Sequence, residues 1–262
     1  MRLLAAMPTL WSYGSLERCD AEVVTPSSTE ALREALAGAA AHGRTVALRA
    51  AGGSFGDHAL GDDLVLDLTG LPQRGEVDGG VLRGSGSLTY QRATDLAIDA
   101  GRVVAVVPTS GRITVGGGIA SDSLSRFSRT HGKTSGTLSR VNVMTVDGVT
   151  HTAVPGDELF RGVCGGFGLL GVVTGFDARL APTVGEGTPR VRTRAQFVPG
   201  FRPLIDAFVA DRRDRPNHGT WGMVNTRGQS VICHTELVDG ATPLAPFFLH
   251  APDSVSTRLG HA

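Results

Sequence analysis

The sequence lacks most of the features that assign a chain quickly. It has no charge bias: 25 Lys+Arg stand against 25 Asp+Glu over 262 residues. That balance leaves no electrostatic footprint for nucleic acid or an anionic membrane. Cysteine is scarce, and Cys19, Cys164 and Cys233 lie far apart. With no CxxC and no Cys/His zinc spacing, no metal is expected. Three scattered cysteines point to a reducing compartment, so the expected location is cytoplasmic. No apolar run approaches the ~20 residues of a membrane span. The opening MRLLAAMPTL is too short in apolar residues for a secretion signal. There is no GxxxxGK[ST], and no GxGxxG opens a helix inside a βαβ unit.

What the chain has in excess is glycine. Its 36 glycines are roughly twice the average usage. They cluster without a period, which excludes collagen-like and low-complexity classes. The 41% hydrophobic and 19% charged content is that of a globular protein with a sizeable core.

In chain order, Trp11 and Tyr13 read as anchors of an irregular start. Glu22-Val23-Val24 reads as a strand. Ser27 and Glu30 form a predicted capping box for a helix whose apolar face is Leu32, Ala35, Leu36 and Ala39, ending at Gly43. A strand at 46–49 runs into Gly52-Gly53-Ser54-Phe55-Gly56, and Leu64 to Leu68 form the next strand. Glycines at the carboxyl end of a strand mark where such α/β units bind ligands. Three glycines in five residues admit close backbone approach, and their N–H groups can form an anion nest. A plain tight turn explains the loop equally well at this stage.

A hairpin turning at Asp78-Gly79-Gly80, a helix at 88–99 and a buried strand at 103–107 follow. The second glycine stretch is PTSGRITVGGGIASD (108–122), whose triple glycine needs a flat or crowded neighbour. Residues 123–136 read as a polar loop, and 141–153 as a hairpin around Asp147-Gly148. A short helix from Glu158 enters the third stretch, Cys164-Gly165-Gly166-Phe167-Gly168, ahead of a strand to Leu180. A Pro/Gly-rich break at 181–189 suggests a boundary. Beyond it a strand at 191–197, a helix at 201–212 and two strands within 221–237 precede a loop-like tail.

Five segments then carry a resemblance: RAAGGSFGDHAL (49–60), LVLDLTGL (64–71), VVPTSGRITVGGGIASD (106–122), VNVMTVDG (141–148) and ELFRGVCGGFGLLGVVT (158–174). Together they resemble the FAD-linked oxidoreductases of the vanillyl-alcohol oxidase/p-cresol methylhydroxylase superfamily. The similarity is greatest to the branch of decaprenylphosphoryl-ribose and sugar-lactone oxidases, over roughly residues 20–180. It implies an α+β fold: a PCMH-type FAD-binding domain of two α/β subdomains at 1–182, then a truncated cap fragment at 183–262.

It also implies a cofactor site. Leu48, Arg49, Ala50, Ala51, Gly52, Gly53, Ser54, Phe55, Gly56, Asp57, His58 and Ala59 would wrap the pyrophosphate. Pro108, Thr109, Thr114, Val115, Gly116, Gly117, Ala120, Ser121, Asp122, Ser123 and Leu124 would run past the ribityl chain and isoalloxazine. Val172 and Val173 would meet the adenine end. Gly53 stands where many members carry a flavin-linked histidine, which implies FAD held non-covalently; His58 is the alternative attachment point.

The run Leu124-Ser125-Arg126-Phe127 departs from the branch's His-Gly-Lys-Asn, so no substrate carries over. Relatives continue through a full cap and a return to the flavin domain. The expected activity is oxidation of a CH–OH group of a sugar, lactone or alcohol, with His131 the candidate base by residue type. Arg129 and Lys133 are candidates to hold an anionic group, although exposed loop residues are the commoner case for all three. The alternative is a catalytically incomplete flavin-binding chain, or a subunit whose partner or second copy covers an apolar face of Phe197, Phe201, Phe208, Trp221, Phe247 and Phe248.

Overall fold

The computed structural model describes residues 7–185, 187–211 and 218–240. The chain forms two compact units, one of Met1–Ser125 with Lys133–Ala181, the other of Arg126–Gly132 with Pro182–Ala262. The tail beyond 240, with Phe247 and Phe248, lies outside the described residues.

The first unit holds a parallel three-stranded sheet in the order Glu22–Val24, Leu64–Asp67, Val46–Arg49. Its central strand buries Leu64, Val65 and Leu66 in succession, because a parallel strand covered on both faces is apolar without alternation. Leu32, Leu36 and Ala39 of helix Thr29–Ala41 cover one face. The helix starts one residue later than the capping box predicts. Ser28 is extended and its Oγ accepts from Ala31 N at 3.1 Å, while Glu30 turns sideways to pair with Arg33. Gly43, at φ +62°, ends the helix as expected.

A second, antiparallel sheet has five strands ordered Thr150–Ala153, Leu138–Met144, Val172–Arg179, Val81–Ser85, Gly75–Asp78. Helices Tyr90–Asp99 and Val115–Ala120 supply Tyr90, Ala93, Val115 and Ile119 to its core, alongside Leu82, Val141, Val143 and Phe176. The strand expected at 103–107 shrinks to Arg102–Val103. Val104 and Val107 instead pack against that core as side chains, and Pro108 offers no ladder donor. Trp11 and Tyr13 are both largely exposed; Arg18 lies over the Trp11 ring at 5.5 Å.

The second unit is an antiparallel sheet of Arg190–Val198, Ser230–Val238 and His218–Val224, with Ser230–Val238 central. Helix Phe201–Ala210 lies on one face, where a Cβ on Gly222 would meet Leu204 Cδ1 at 2.9 Å. The segment 126–132 belongs here too: Arg126 sits 4.2 Å above Trp221, and Gly219 leaves room for the Arg126 carbonyl. The expected polar loop at 123–136 therefore carries two short helices, Ser128–His131 and Thr134–Thr137, one in each unit.

Candidate functional site

A cleft of about 410 Å³ opens within the first unit, where all three glycine stretches meet. The first loop leaves strand Val46–Arg49 at a left-handed Gly52, φ +63°. Arg49 folds back beneath it and donates to Trp11 O at 3.1 Å. A Cβ on Gly52 would stand 2.5 Å from that guanidinium, whose flexible end could shift, so it is the left-handed φ that favours glycine here. Tyr13 N donates to Ser54 O at 2.9 Å and pins the loop's outer turn. Among the described residues, no backbone N–H from 51 to 56 donates within the chain. These donors line the cleft and are left for a ligand.

The triple glycine resolves into three different roles, because successive helical residues point about 100° apart. Thr114, almost fully buried, caps helix Val115–Ala120 by accepting from Gly117 N at 3.2 Å. A Cβ on Gly116 would meet the Gly86 carbonyl oxygen at 2.8 Å. One on Gly118 would lie 2.3 Å from the Tyr90 hydroxyl. On Gly117 it would meet only Thr114 Oγ1, at 3.1 Å. Close packing thus explains Gly116 and Gly118, and Gly117 is bare toward the cleft. Tyr90 itself is held by its hydroxyl near Thr134 Oγ1 at 3.4 Å, and burial pushes its phenol up to about 12.

The third stretch straps the far end of the same helix. Gly165 N donates to Ile119 O at 3.1 Å, and Phe167 N to Ala120 O at 2.8 Å. Phe167, at φ +52°, stacks on His58 with ring centroids 4.5 Å apart. Burial pushes the neighbouring Cys164 thiol up to about 11, so it stays protonated and unreactive at neutral pH. Gly86 completes the wall, since any Cβ there would stand 1.9 Å from Val173 O.

The cleft gathers Leu48, Ala50, Ala51, Gly52, Gly53, Ser54, Phe55, Gly56, His58 and Ala59 with Thr114, Gly116, Gly117, Ala120, Ser121, Ser123, Val172 and Val173. Seven expected residues do not line it. Arg49 is the buttress below the loop. Asp57 turns its carbonyl to Leu60 N, and Val115 is in the core. Asp122 accepts from Ser135 N at 2.9 Å and pairs with Lys133. Leu124 is exposed, and Pro108 and Thr109 lie off the wall. His131 lies in the other unit, closing helix Ser128–His131.

Sequence reasoning missed Leu68, Leu71, Gly86, Ser87 and Ile113 as wall residues. Phe167, Gly168 and Gly171 of the third stretch were missed as well.

His58 is the one ionisable side chain on the wall. An anion held here meets backbone N–H groups and the Ser54 hydroxyl, not lysine or arginine, while the Ser87 and Ser121 hydroxyls already donate to the Pro72 and Gly117 carbonyls. A broad ring meets glycine backbone and aliphatic side chains. Fold and cleft together define an α+β domain whose glycine-walled cleft offers main-chain N–H groups to a ligand.

Comparison with known proteins narrows the class. Residues 21–153 match the family model described as the FAD binding domain. The chain belongs to this family, and FAD is the cofactor the residues fit. It is 29% identical over 181 residues to "Decaprenylphosphoryl-beta-D-ribose oxidase" of Mycolicibacterium smegmatis, a match covering 66% of this chain and 39% of that protein. An "Uncharacterized protein in mprA 5'region" of Streptomyces coelicolor is 33% identical over 95 residues, covering 36% of this chain and 26% of that protein.

Among solved structures, "Physcomitrella patens BBE-like 1 wild-type" superposes with a TM-score of 0.73 at 18% identity, over 88% of this chain and 54% of that one. The fold is thus the PCMH-type α+β fold. The chain spans well under two thirds of the length of each of these relatives.

Proposed function

We propose that the chain acts as an FAD-dependent oxidoreductase that oxidises a CH–OH group of a sugar, lactone or alcohol. The carrying observation is the cleft: unengaged loop N–H groups, hydroxyls and the bare Gly117 face line one wall, in a chain whose family binds FAD. Bound FAD supplies the hydride acceptor. The protein's own contribution is to hold the pyrophosphate on the 51–56 amides, seat the ring system against helix Val115–Ala120 and exclude water with Phe167 and Ile113. Gly53 has no side chain to bond the flavin, which supports a non-covalent cofactor. The second unit is offered as part of a substrate cap, with His131 as base. Free Cys19, Cys164 and Cys233 support a reducing, cytoplasmic setting. No described helix is long and apolar enough to cross a membrane.

A second reading is favoured by Phe197 and Phe201, exposed on the second unit with Ile205 and Val209, whereas Phe208 and Trp221, expected on the same face, are half-buried, one beside Gly222 and the other beneath Arg126. In it, a partner or second copy covers that apolar face and completes the active site. Anaerobic mixing of the flavin-loaded protein with a panel of sugars, lactones and alcohols tests both. Bleaching of the flavin supports the first reading. A loaded protein that no substrate bleaches alone supports the second, and a chain that cannot be loaded with FAD refutes both.

A further inference from the structure

We propose that the second unit carries a site for a divalent transition metal, built from Asp211, His218 and His234. The inference is independent of the flavin reading, because all three residues belong to the C-terminal sheet and its helix.

Strand pairing brings the two histidines together. His218 lies opposite Glu236, and His234 opposite Thr220. The two imidazoles are therefore diagonal neighbours on one face of an antiparallel pair. Their rings lie 5.9 Å apart at 24°. It is also the face that receives helix Phe201–Ala210, since Gly222 on the same register meets Leu204 and Phe208. Asp211 is the first residue after that helix, so the helix end delivers a carboxylate onto the two histidines. Thr220 donates to the Asp211 carboxylate and holds the side chain, and Arg129 donates to its backbone carbonyl.

The donor geometry is close to a coordination sphere. Asp211 Oδ2 lies 3.3 Å from His234 Nδ1 and 3.8 Å from His218 Nε2. All three donor atoms fall within 4.8 Å of one another. Ligands at about 2.0–2.1 Å around tetrahedral zinc stand about 3.3 Å apart. One edge already has that length, a second is 3.8 Å and the third is within 4.8 Å. The His218 side chain is 9% exposed and that of Asp211 4%.

His218 Nε2 and His234 Nδ1 are buried and make no hydrogen bond among the described residues, the Asp211 carboxylate being the acid that faces both. Such nitrogens cost free energy unless something engages them. Two imidazoles and one carboxylate suit zinc or another first-row dication, not calcium or magnesium, which take oxygen. Of the charges on this face, Arg192 is neutralised by Glu236 at 2.7 Å. Arg194, opposite His234, is the repulsion the site must overcome.

The test uses the full chain, freed of any affinity tag and stripped with chelator, titrated with Zn²⁺ by calorimetry and checked by elemental analysis. One Zn²⁺ per chain is expected. His218→Gln and His234→Gln should each weaken uptake at least ~100-fold, since even outer-shell partners cost ~10–100-fold. FAD content should be unchanged in both, and His151→Gln should bind as wild type. Co²⁺ in the wild-type protein should give the intense visible bands of a four-coordinate site, which keeps the test decisive should a variant misfold. No stoichiometric zinc, an aquo-like cobalt spectrum, or uptake that survives both substitutions would overturn the proposal.

Discussion

Alanine placed in turn at Gly116, Gly117 and Gly118 should separate packing from cofactor binding within three consecutive residues. At Gly116 the new Cβ lies 2.8 Å from a backbone carbonyl, and at Gly118 2.3 Å from the Tyr90 hydroxyl. The Gly86 carbonyl, part of the backbone, cannot yield readily, and Tyr90 is buried and held at Thr134. Overpacking of this kind costs about 1–3 kcal/mol, which lowers Tm by roughly 2–12 °C for a domain of this size. At Gly117 the Cβ meets only Thr114 Oγ1, and alanine in a helix gains up to about 1 kcal/mol over glycine. The flavin-free Tm should therefore hold or rise.

Its methyl group enters the cleft instead, and a clash of about 1–3 kcal/mol with the cofactor weakens FAD roughly 5- to 150-fold. Flavin-free melting by circular dichroism, paired with FAD titration by fluorescence, reads both quantities. Wild-type FAD affinity in a folded Gly117→Ala protein would show that the bare face does not meet the cofactor. Undiminished Tm in the other two would sink the packing assignment.

Three further outcomes follow from the same geometry. The Tyr90 phenol, raised from 10.0 to about 12, favours the folded state fully below pH 10. That contribution is lost as pH rises from 10 to 12, by at most about 3 kcal/mol; Tyr90→Phe should flatten this part of the stability profile in alkaline denaturation, and an unchanged slope would refute the assignment. Acid precipitation should leave flavin in the supernatant, whereas colour in the pellet that vanishes in His58→Ala would make His58 the attachment site. His131→Ala should slow flavin reduction by ~10²-fold or more if His131 is the base, and an unaltered rate would leave it a surface residue.

The cleft's glycine-rich walls left a trace in the sequence, whereas the residues expected to meet a cofactor came from the family resemblance. Backbone can approach a ligand only where side chains are missing, and the glycine clusters record those places. The trace blurs where glycine serves two purposes. Nothing in VGGGIA distinguishes Gly117 from its neighbours until Gly86 and Tyr90 are seen beside them. Wall residues such as Ser87 and Ile113 were missed because hydroxyl and aliphatic side chains carry no such mark. The Asp211, His218 and His234 cluster was invisible for a different reason. Its members fit no short metal spacing, and only the register of His218–Val224 against Ser230–Val238 brings them together. The polar run at 123–136 misled as one loop because its two halves serve different units.

That division has a practical consequence. Cutting the chain at residue 182 would not release the second unit whole. A fragment starting there would lack 126–132, so Trp221 would lose the guanidinium above its ring and Gly219 would face an empty notch. Circular permutation joining the two segments, rather than simple truncation, is the route to that unit in isolation. During synthesis its sheet must also wait for strands made long after residue 132, and close around a segment that has already emerged.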